Sequence, residues 1–269
     1  MEPLRVPAGQ GVTWVVDGWR SFVASPGMWL VLVIVWLLIF AALQLIPVIG
    51  VLATYLIAPA LTGALLVCAR DALGGRAIDV GQLFDPLTAD GTRGPMLILG
   101  ALFLVAHIVL LLIGVALIIA TLGMTMLEHH AVFTEPGGPG SGALEPDALL
   151  RMGLGAALVA LILVALGLLI ALFFYYAIPL VLFAGVQPTV AIGLGFKAIV
   201  RNWLPLLVLG VLWLVLAILA SVPLLLGWLV LLPVTFGAWL ASYRDVFPEG
   251  LKEAGTDTTV SRPPPMLPP

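Results

Sequence analysis

Charged residues are scarce in this chain and make up 9% of its 269 residues, against about 25% in an ordinary soluble domain. Hydrophobic residues make up 62%, and the mean hydropathy is +1.21. A soluble protein of this size cannot bury so much apolar surface, whereas a lipid bilayer accepts it. The 11 Lys and Arg residues are scattered and form no basic stripe, which argues against nucleic acid as a partner. Membrane lipids are therefore the expected partners.

Motifs that carry catalysis or hold cofactors are also absent from the sequence. It contains no His-Glu-x-x-His, Gly-x-Ser-x-Gly or P-loop pattern, so hydrolysis and nucleotide-driven work lack their residues. Cys68 is the single cysteine and cannot form an internal disulfide. Glu128, His129, His130 and Glu135 lie close in sequence, but adjacent histidines lack a useful helical spacing for metal ligands. We expect no enzyme, no metal site and no cofactor.

Long apolar runs are abundant, and they predict an all-α membrane helix bundle. A transmembrane helix needs about 20 mostly apolar residues, and two uncharged stretches, 27–69 and 202–242, are each long enough for two such helices. Pro179 is expected to kink or end the helix within the apolar stretch 152–186. About six transmembrane helices are predicted, near residues 28–46, 50–69, 95–122 and 153–178, and as two spans within 203–242.

The predicted hairpins 28–69 and 203–242 turn without any charged residue. Their turns fall at residues 47–50 and 223–227, where Pro and Gly interrupt the apolar runs. Because each hairpin returns to the side from which it entered, the distribution of charge does not distinguish a full crossing from a re-entrant one. Both alternatives are open at this point.

The Lys and Arg residues are distributed unequally over the predicted loops. If the N-terminus lies in the cytoplasm, Arg151 is the single outward-facing residue of the 11. Cytoplasmic loops carry an excess of Lys and Arg, so both termini are predicted to be cytoplasmic. The N-terminus is not expected to be a cleaved signal peptide, since the first apolar run begins only near Met28. Residues 1–247 are predicted to form one membrane domain, followed by a flexible, Pro-rich cytoplasmic tail, 248–269.

Two segments share one spacing of proline, glycine and an Arg-Asp pair. Pro59, Gly63, Arg70 and Asp71 recur at identical spacing as Pro233, Gly237, Arg244 and Asp245. Upstream of these residues, segment 18–23 resembles segment 195–200. We interpret the two segments as a tandem repeat, about 12–71 and 189–245. Both copies would enter the membrane from the same side, so the repeat is predicted to be parallel.

Each repeat begins with a predicted amphipathic helix, because apolar and polar residues separate at helical spacing. Aromatic and basic residues on a helix before a span are typical of an interfacial helix on anionic lipid. The alternative is a plain N-terminal extension of each span. The apolar faces are Val12, Val15, Val16, Trp19, Phe22 and Val23, and Ile192, Phe196, Ile199, Val200 and Trp203. The polar faces are Thr13, Asp17, Arg20 and Ser21, and Lys197 and Arg201.

Short segments in both repeats carry a family resemblance. They are Arg5-Val6-Pro7-Ala8-Gly9, Gly18-Trp19-Arg20-Ser21-Phe22, Ile46-Pro47-Val48-Ile49-Gly50, Gln187-Pro188 through Arg201-Asn202-Trp203, and Ser242-Tyr243-Arg244-Asp245-Val246-Phe247. With these segments the chain resembles uncharacterised bacterial six-helix inner-membrane proteins. It is distantly similar to YciC-type proteins and to the membrane domain attached to some glycerophosphodiester phosphodiesterases. The resemblance covers most of the chain except loop 123–150. It implies a multi-pass protein of the bacterial inner membrane and supplies no catalytic residue.

Helix-breaking and ionisable residues inside the predicted spans are candidates for a ligand site. A proline frees the carbonyl oxygen four residues earlier in its helix, and paired breaks in matching repeats are typical of transporter sites near the bilayer midplane. A histidine inside a span is often functional. The alternatives are kinks that only shape helix packing and a neutral imidazole bonded to a neighbouring helix. The candidates are Tyr55, Pro59, Gly63, His107, Pro233 and Gly237.

Charged residues at the ends of predicted helices are candidates for the membrane interface. Arg and Lys side chains reach headgroup phosphates while their stems lie along apolar surface. The alternative is a symmetric docking surface for a protein partner. Small residues of the fourth span, among them Gly153, Ala157 and Gly167, allow close packing within the protein or in a homo-oligomer. The interface candidates are Arg70, Asp71, Lys197, Arg201, Arg244 and Asp245.

Two functions follow from these observations. The first is a non-enzymatic inner-membrane protein that binds lipid or protein partners in the envelope, which the symmetric Arg-Asp pairs and amphipathic helices favour. The second is a small transporter or lipid-handling protein, which the paired Pro/Gly breaks and His107 favour.

Overall fold

The computed structural model describes residues 1–133 and 146–251, and within them it contains helices and turns but no strand. The all-α prediction is confirmed. The N-terminal helices are α1 (Gln10–Ala24), α2 (Pro26–Gln44) and α3 (Ile49–Leu73), followed by a 3-10 helix (Val80–Leu83) and α4 (Asp85–Thr88). The remaining helices are α5 (Arg93–Phe133), α6 (Pro146–Tyr175), α7 (Ala177–Ala184), α8 (Pro188–Arg201), α9 (Trp203–Ser221) and α10 (Trp228–Val246). The predicted tail from residue 252 onward and residues 134–145 lie outside the described residues.

Five segments are long and apolar enough to cross a membrane, which confirms a polytopic helical membrane protein. They are Pro26–Gln44, Ile49–Leu73, Arg93–Thr121, Met152–Ala184 and Trp203–Ser221. The sixth predicted span corresponds to α10, which is 19 residues long but is not among the five. The reason is that its last turn carries Arg244 and Asp245 and lowers the hydropathy of the whole helix.

The described chain divides into two compact units. The first contains residues 1–103 and those from Leu172 onward, and the second contains residues 104–171. The second unit consists of the outer parts of α5 and α6, which meet through small residues. Gly114 lies against the Leu163 side chain, and Gly155 lies against Thr121. Of the small residues predicted for close packing in the fourth span, Gly167 lies against Leu110 of α5, with 3.9 Å to a Cβ atom, whereas nothing lies within 4 Å of a Cβ atom at Gly153.

The break between α6 and α7 lies at Tyr176, three residues before Pro179, rather than at the proline itself. The reason is steric, because a proline ring excludes the carbonyl of the residue four positions earlier from helical hydrogen bonding. That residue is Tyr175, and its carbonyl oxygen accepts a hydrogen bond from the Trp239 indole N–H at 2.7 Å. The kink therefore ties α6 to α10, and the fourth span extends to Ala184.

Helix α1 runs antiparallel along α10. At one end, the Gln10 side chain donates a hydrogen bond to the Asp245 carboxylate at 2.6 Å. At the other end, a Cβ atom at Gly237 would lie 2.7 Å from the Cα of Gly18. Two glycines face each other here, so the two backbones approach more closely than any larger residues would permit.

This packing turns the small and polar side of α1 inward. Asp17 and Ser21, assigned to the polar face, are buried against the protein. Trp19 and Val23 point outward, with about half of each side chain exposed. Phe22, assigned to the same apolar face as Trp19, is buried instead. A helix surrounded by lipid is more stable when apolar side chains such as Trp19 and Val23 face the acyl chains. Polar side chains are more stable inside the protein, where they can find partners.

The N-terminal segment is held by Asn202, which lies between α8 and α9 and is 1% exposed. Its side chain accepts a hydrogen bond from the Val6 backbone N–H and donates one to the Leu4 carbonyl, both at 2.9 Å. The Leu4 N–H in turn donates to the Val246 carbonyl at 2.8 Å. Nearby, Lys197 forms an ion pair with Glu2 and lowers the pKa of the Glu2 carboxyl through their hydrogen bond. The segment thus joins the end of α8 and the start of α9 to the end of α10.

Candidate functional site

An apolar groove of about 500 Å³ lies between α1, α9 and α10 in the first unit. This volume falls within the range of about 300–1,000 Å³ that is typical of small-molecule sites. The groove is bordered by one face of α1 and by the outer halves of α9 and α10. Its walls are Val15, Val16, Trp19, Leu216, Leu219, Ala220, Pro223, Gly227, Val230, Leu231 and Val234. No charged or hydrogen-bonding side chain other than the Trp19 indole lines it.

The groove opens to the outer surface of the helices. Leu219 is 60% exposed and Trp19 is 51% exposed, and both lie at its edge. Arg20 follows Trp19 on α1, and its side chain is 68% exposed while it pairs with Asp17 at 3.0 Å. The opening therefore has an indole ring at its edge, whereas the Arg20 guanidinium lies at Asp17, and neither Arg20 nor Asp17 lines the groove.

Small residues create this groove. Gly18 brings α1 onto the backbone of α10 at Val234 and Ala238. At the turn between α9 and α10, Gly227 lies against Ala220 so closely that a Cβ atom would come within 2.5 Å of the Ala220 Cα. These contacts hold α10 against α1 and against the end of α9, and the space between the three helices is left unfilled.

The Arg244–Asp245 pair makes its contacts with α1. The Arg244 guanidinium donates to the Asp17 carboxylate at 2.9 Å. The Asp245 carboxylate accepts hydrogen bonds from Gln10 and from the fully buried Trp14 indole, at 2.6 and 2.9 Å. These contacts attach α1 to the end of α10, while 48% of the Arg244 side chain stays exposed.

The Arg70–Asp71 pair has different surroundings. Asp71 is 7% exposed and accepts hydrogen bonds from Arg70, Arg76 and Gln82. Arg70 uses its Nε atom for Asp71, at 3.0 Å, and its guanidinium lies over the Phe183 ring at 5.3 Å. The two Arg-Asp pairs, which match in sequence, therefore differ in structure: α1 covers one pair, and a loop and α7 surround the other.

The predicted helix breaks lie at two separate helix contacts. Pro59 and Pro233 are both buried. A Cβ atom at Gly63 would meet Leu182 of α7 at 3.1 Å, whereas Gly237 faces α1. Tyr55 lies beside Phe103, with 6.0 Å between the ring centroids. These residues thus contribute to packing, and none of the six ligand candidates lines the apolar groove.

The other sequence candidates are dispersed. His107 lies on α5 in the second unit and is half-buried. Lys197 and Arg201 are exposed on α8. The side chains of residues 128–130 and residue 135 lie outside the described part, and among the described residues no cluster of His, Cys, Asp and Glu could hold a metal ion.

The groove itself was not predicted from the sequence. Its walls are ordinary aliphatic residues from three helices, and such residues look the same in a filled core. The available signal was the pairing of Gly18 with Gly237, since glycines in two helices of opposite direction predict a close crossing.

The helices and the apolar groove define a class, the multi-pass α-helical membrane proteins. Within that class, the chain is similar to a protein of Burkholderia thailandensis named a probable inner membrane protein. The two are 28% identical over 225 residues, which cover 81% of this chain and 77% of the relative. No protein-family model matches the chain. No solved structure matches it either.

Proposed function

We propose that this chain is a non-enzymatic protein of the bacterial inner membrane that binds a membrane phospholipid. The observation that carries the proposal is the open apolar groove between α1, α9 and α10, with Trp19 at its edge. An acyl chain matches these apolar walls.

The surrounding solvent favours this occupant. In a bilayer an open apolar groove is filled by the molecules around it, which are acyl chains. Packing rather than the hydrophobic effect decides how long a given lipid stays, because lipid is as apolar as the groove.

The location and orientation belong to the same proposal. The similar Burkholderia protein is named for the inner membrane, and the resemblance to six-helix inner-membrane proteins agrees with that location. The excess of Lys and Arg on one side supports cytoplasmic termini. The matching order of α1–α3 and α8–α10, each with a proline inside its third helix, supports the tandem repeat.

Native mass spectrometry of the protein, gently purified from its own membrane, tests the proposal. Stoichiometric phospholipid supports it. Only bulk lipid together with a stoichiometric protein would overturn it in favour of a scaffold. A bound metabolite lost on mutation of Pro59 or His107 would overturn it in favour of the small transporter, which is the alternative that the helix breaks favour.

Filling the groove is expected to displace the lipid. We expect Leu219→Trp to lower the lipid bound per protein at least about fivefold, because the indole occupies space that an acyl chain needs. Ile218→Trp is the matched control: it lies on the same helix, both positions are 60% exposed, and Ile218 does not line the groove. Equal lipid occupancy of the two variants in native mass spectra would contradict the groove as the binding site.

A further inference from the structure

A second, polar cavity of about 180 Å³ lies where α3, α4 and α7 meet near the start of α5. One side is apolar, formed by Val67, Leu182 and Phe183, and the other side carries Arg70, Asp85 and Thr92. A cavity with an apolar and a charged side suits a molecule that has both characters. The cavity therefore contains one cation, one anion and one hydroxyl beside an apolar wall.

Arg70 is held so that its outer nitrogens remain available. Its Nε atom donates to Asp71, and Phe183 supports the guanidinium plane. Its two terminal nitrogens donate no hydrogen bond to any described residue. Arg244, the matching residue, donates through a terminal nitrogen to Asp17. A guanidinium with two free N–H edges binds a phosphate through paired hydrogen bonds.

Asp85 supplies the opposite charge. It lies in the first turn of α4 and is exposed, and its carboxylate has neither a hydrogen bond nor an ion pair with another described residue. Although Arg70 and Asp85 line one cavity, they form no salt bridge within the described chain. Two opposite charges in one cavity that do not pair with each other can each take a charge of a zwitterion.

We propose that this cavity binds a phosphate ester that carries an ammonium group, as in the headgroup of phosphatidylethanolamine. Arg70 binds the phosphate, Asp85 binds the ammonium, and the Thr92 hydroxyl lies beside them. This inference deepens the proposed function by naming a headgroup, yet it concerns other residues than the groove. The groove variant Leu219→Trp leaves this cavity intact. Lipid binding in the groove and headgroup binding in the cavity can therefore each be refuted without refuting the other.

The test is a change of headgroup preference, measured by native mass spectrometry in detergent with added lipids. We expect the wild-type protein to bind phosphatidylethanolamine about tenfold more tightly than phosphatidylglycerol, because one charge-assisted hydrogen bond distinguishes them. Asp85→Asn is expected to remove the preference without lowering stability, since Asp85 makes no internal contact. Asp90→Asn, on the same loop outside the cavity, is expected to leave it unchanged. An unchanged preference in Asp85→Asn would overturn the proposal.

A soluble ligand would have the same chemistry. Titration with O-phosphoethanolamine by calorimetry distinguishes that source from a lipid. Binding of either compound that depends on both Arg70 and Asp85 supports the site, and the stronger binder identifies the source. If neither the lipid nor the soluble ester binds with this dependence, the proposal is wrong.

A separate observation concerns the tips of the two hairpins, α2–α3 and α9–α10. Both expose large apolar side chains: Leu45 is 82% exposed, and Leu224 is 89% exposed. Neither turn contains a charged residue. A loop in water carries polar residues at such positions. The exposed leucines therefore favour a position of these turns in lipid rather than in water.

Many polar groups of both turns are paired within the hairpin itself. Pro47 and Pro223 have no backbone N–H to satisfy. The Trp228 indole donates to the Ser221 hydroxyl, and the Gln44 amide donates to Thr54. Backbone donors include Ile46 to Leu43, Gly50 to Ile46, Leu225 to Ser221 and Leu226 to Pro223. Hydrocarbon demands such internal pairing, because no water is present to supply partners.

The structure assigns both tips to the acyl-chain region of the bilayer. The lengths agree, since α2 and α9 each have 19 residues. At about 1.5 Å per residue they extend nearly 30 Å, the thickness of the hydrocarbon core. A helix that starts at one boundary therefore ends at the far edge of the core, where the exposed apolar side chains of the turn meet the ends of the acyl-chain region.

Cysteine labelling in lipid nanodiscs tests this assignment, because both membrane faces are then accessible. Cys68 is buried, and Cys68→Ala gives a cysteine-free background. We expect Val48→Cys and Leu224→Cys to react with a charged maleimide at least about tenfold more slowly than Asp90→Cys, since a thiol in hydrocarbon stays protonated and out of reach. Labelling of all three must become equal after unfolding in detergent. Tip cysteines that react as fast as Asp90→Cys in nanodiscs would overturn the assignment.

Discussion

Gly18→Ala is expected to separate α1 from α10 and to destabilise the protein by about 3 kcal/mol, at the upper end of what overpacking costs. A Cβ atom at this position would overlap with the Val234 carbonyl oxygen and lie 2.9 Å from the Ala238 backbone nitrogen. Both are backbone atoms of α10, so the collision is relieved only by moving a helix. The readout is the free energy of unfolding in a detergent titration.

The control for this variant is Gly193→Ala on α8. Nothing lies within 4 Å of a Cβ atom at Gly193, and alanine favours a helix over glycine by about 0.5–1 kcal/mol. We therefore expect a small gain in stability there. Equal stability of the Gly18 and Gly193 variants would show that α1 does not pack against α10 in the membrane.

The consequence of Gly18→Ala for binding follows from the groove. Because α1 provides Val15, Val16 and Trp19 of its walls, a displaced α1 opens the groove and loses the bound lipid. The Arg70 cavity lies away from α1 and should retain its headgroup preference. The two lipid sites would thus respond differently to one substitution.

Asp71→Ala is expected to cost about 2–4 kcal/mol of unfolding free energy. Removing one partner of a buried charge network costs about 3–5 kcal/mol, and partial exposure of Arg70 and Arg76 lowers that value. The variant leaves Arg76 and Gln82 without their acceptor and frees the loop after α3. The same detergent titration measures it.

Asp90→Ala is the control for Asp71→Ala, because Asp90 is exposed on the same loop and surface substitutions cost within about 0.5 kcal/mol. A comparison with Asp85→Asn is also informative. Asp71 stabilises the fold, whereas Asp85 is free for a ligand, so only the first should change stability. Wild-type stability of Asp71→Ala would mean that its network does not hold the loop.

The symmetric docking surface predicted from the two Arg-Asp pairs takes a different form in the structure. In the second copy, the Arg244 guanidinium donates a hydrogen bond to the Asp17 carboxylate. In the first copy, the corresponding side of Arg70 opens to a cavity. Sequence spacing placed both pairs correctly at the ends of their helices, but their partners come from segments that differ between the copies. The docking of a protein partner at either Arg-Asp pair stays a prediction.

The amphipathic helices illustrate a second limit of sequence patterns. Periodicity separated Trp19 from Asp17 correctly but did not say which side faces the protein. In water the apolar side packs inward. In lipid the choice depends on which surface finds a close partner, and that partner, the backbone at Gly237, lies more than 200 residues later in the chain.

The sequence by itself indicated that this protein lies in a lipid bilayer, and it indicated where its helices are. Hydropathy over about 20 residues is a local property, so uncharged runs and prolines located the spans and the kink before Pro179. The tertiary structure decided which small residues meet, and with them the groove, the pairing of Arg244 with Asp17 and the open cavity at Arg70. Cavities are spaces between distant segments, and helices in lipid are assembled by close packing that hydropathy does not record.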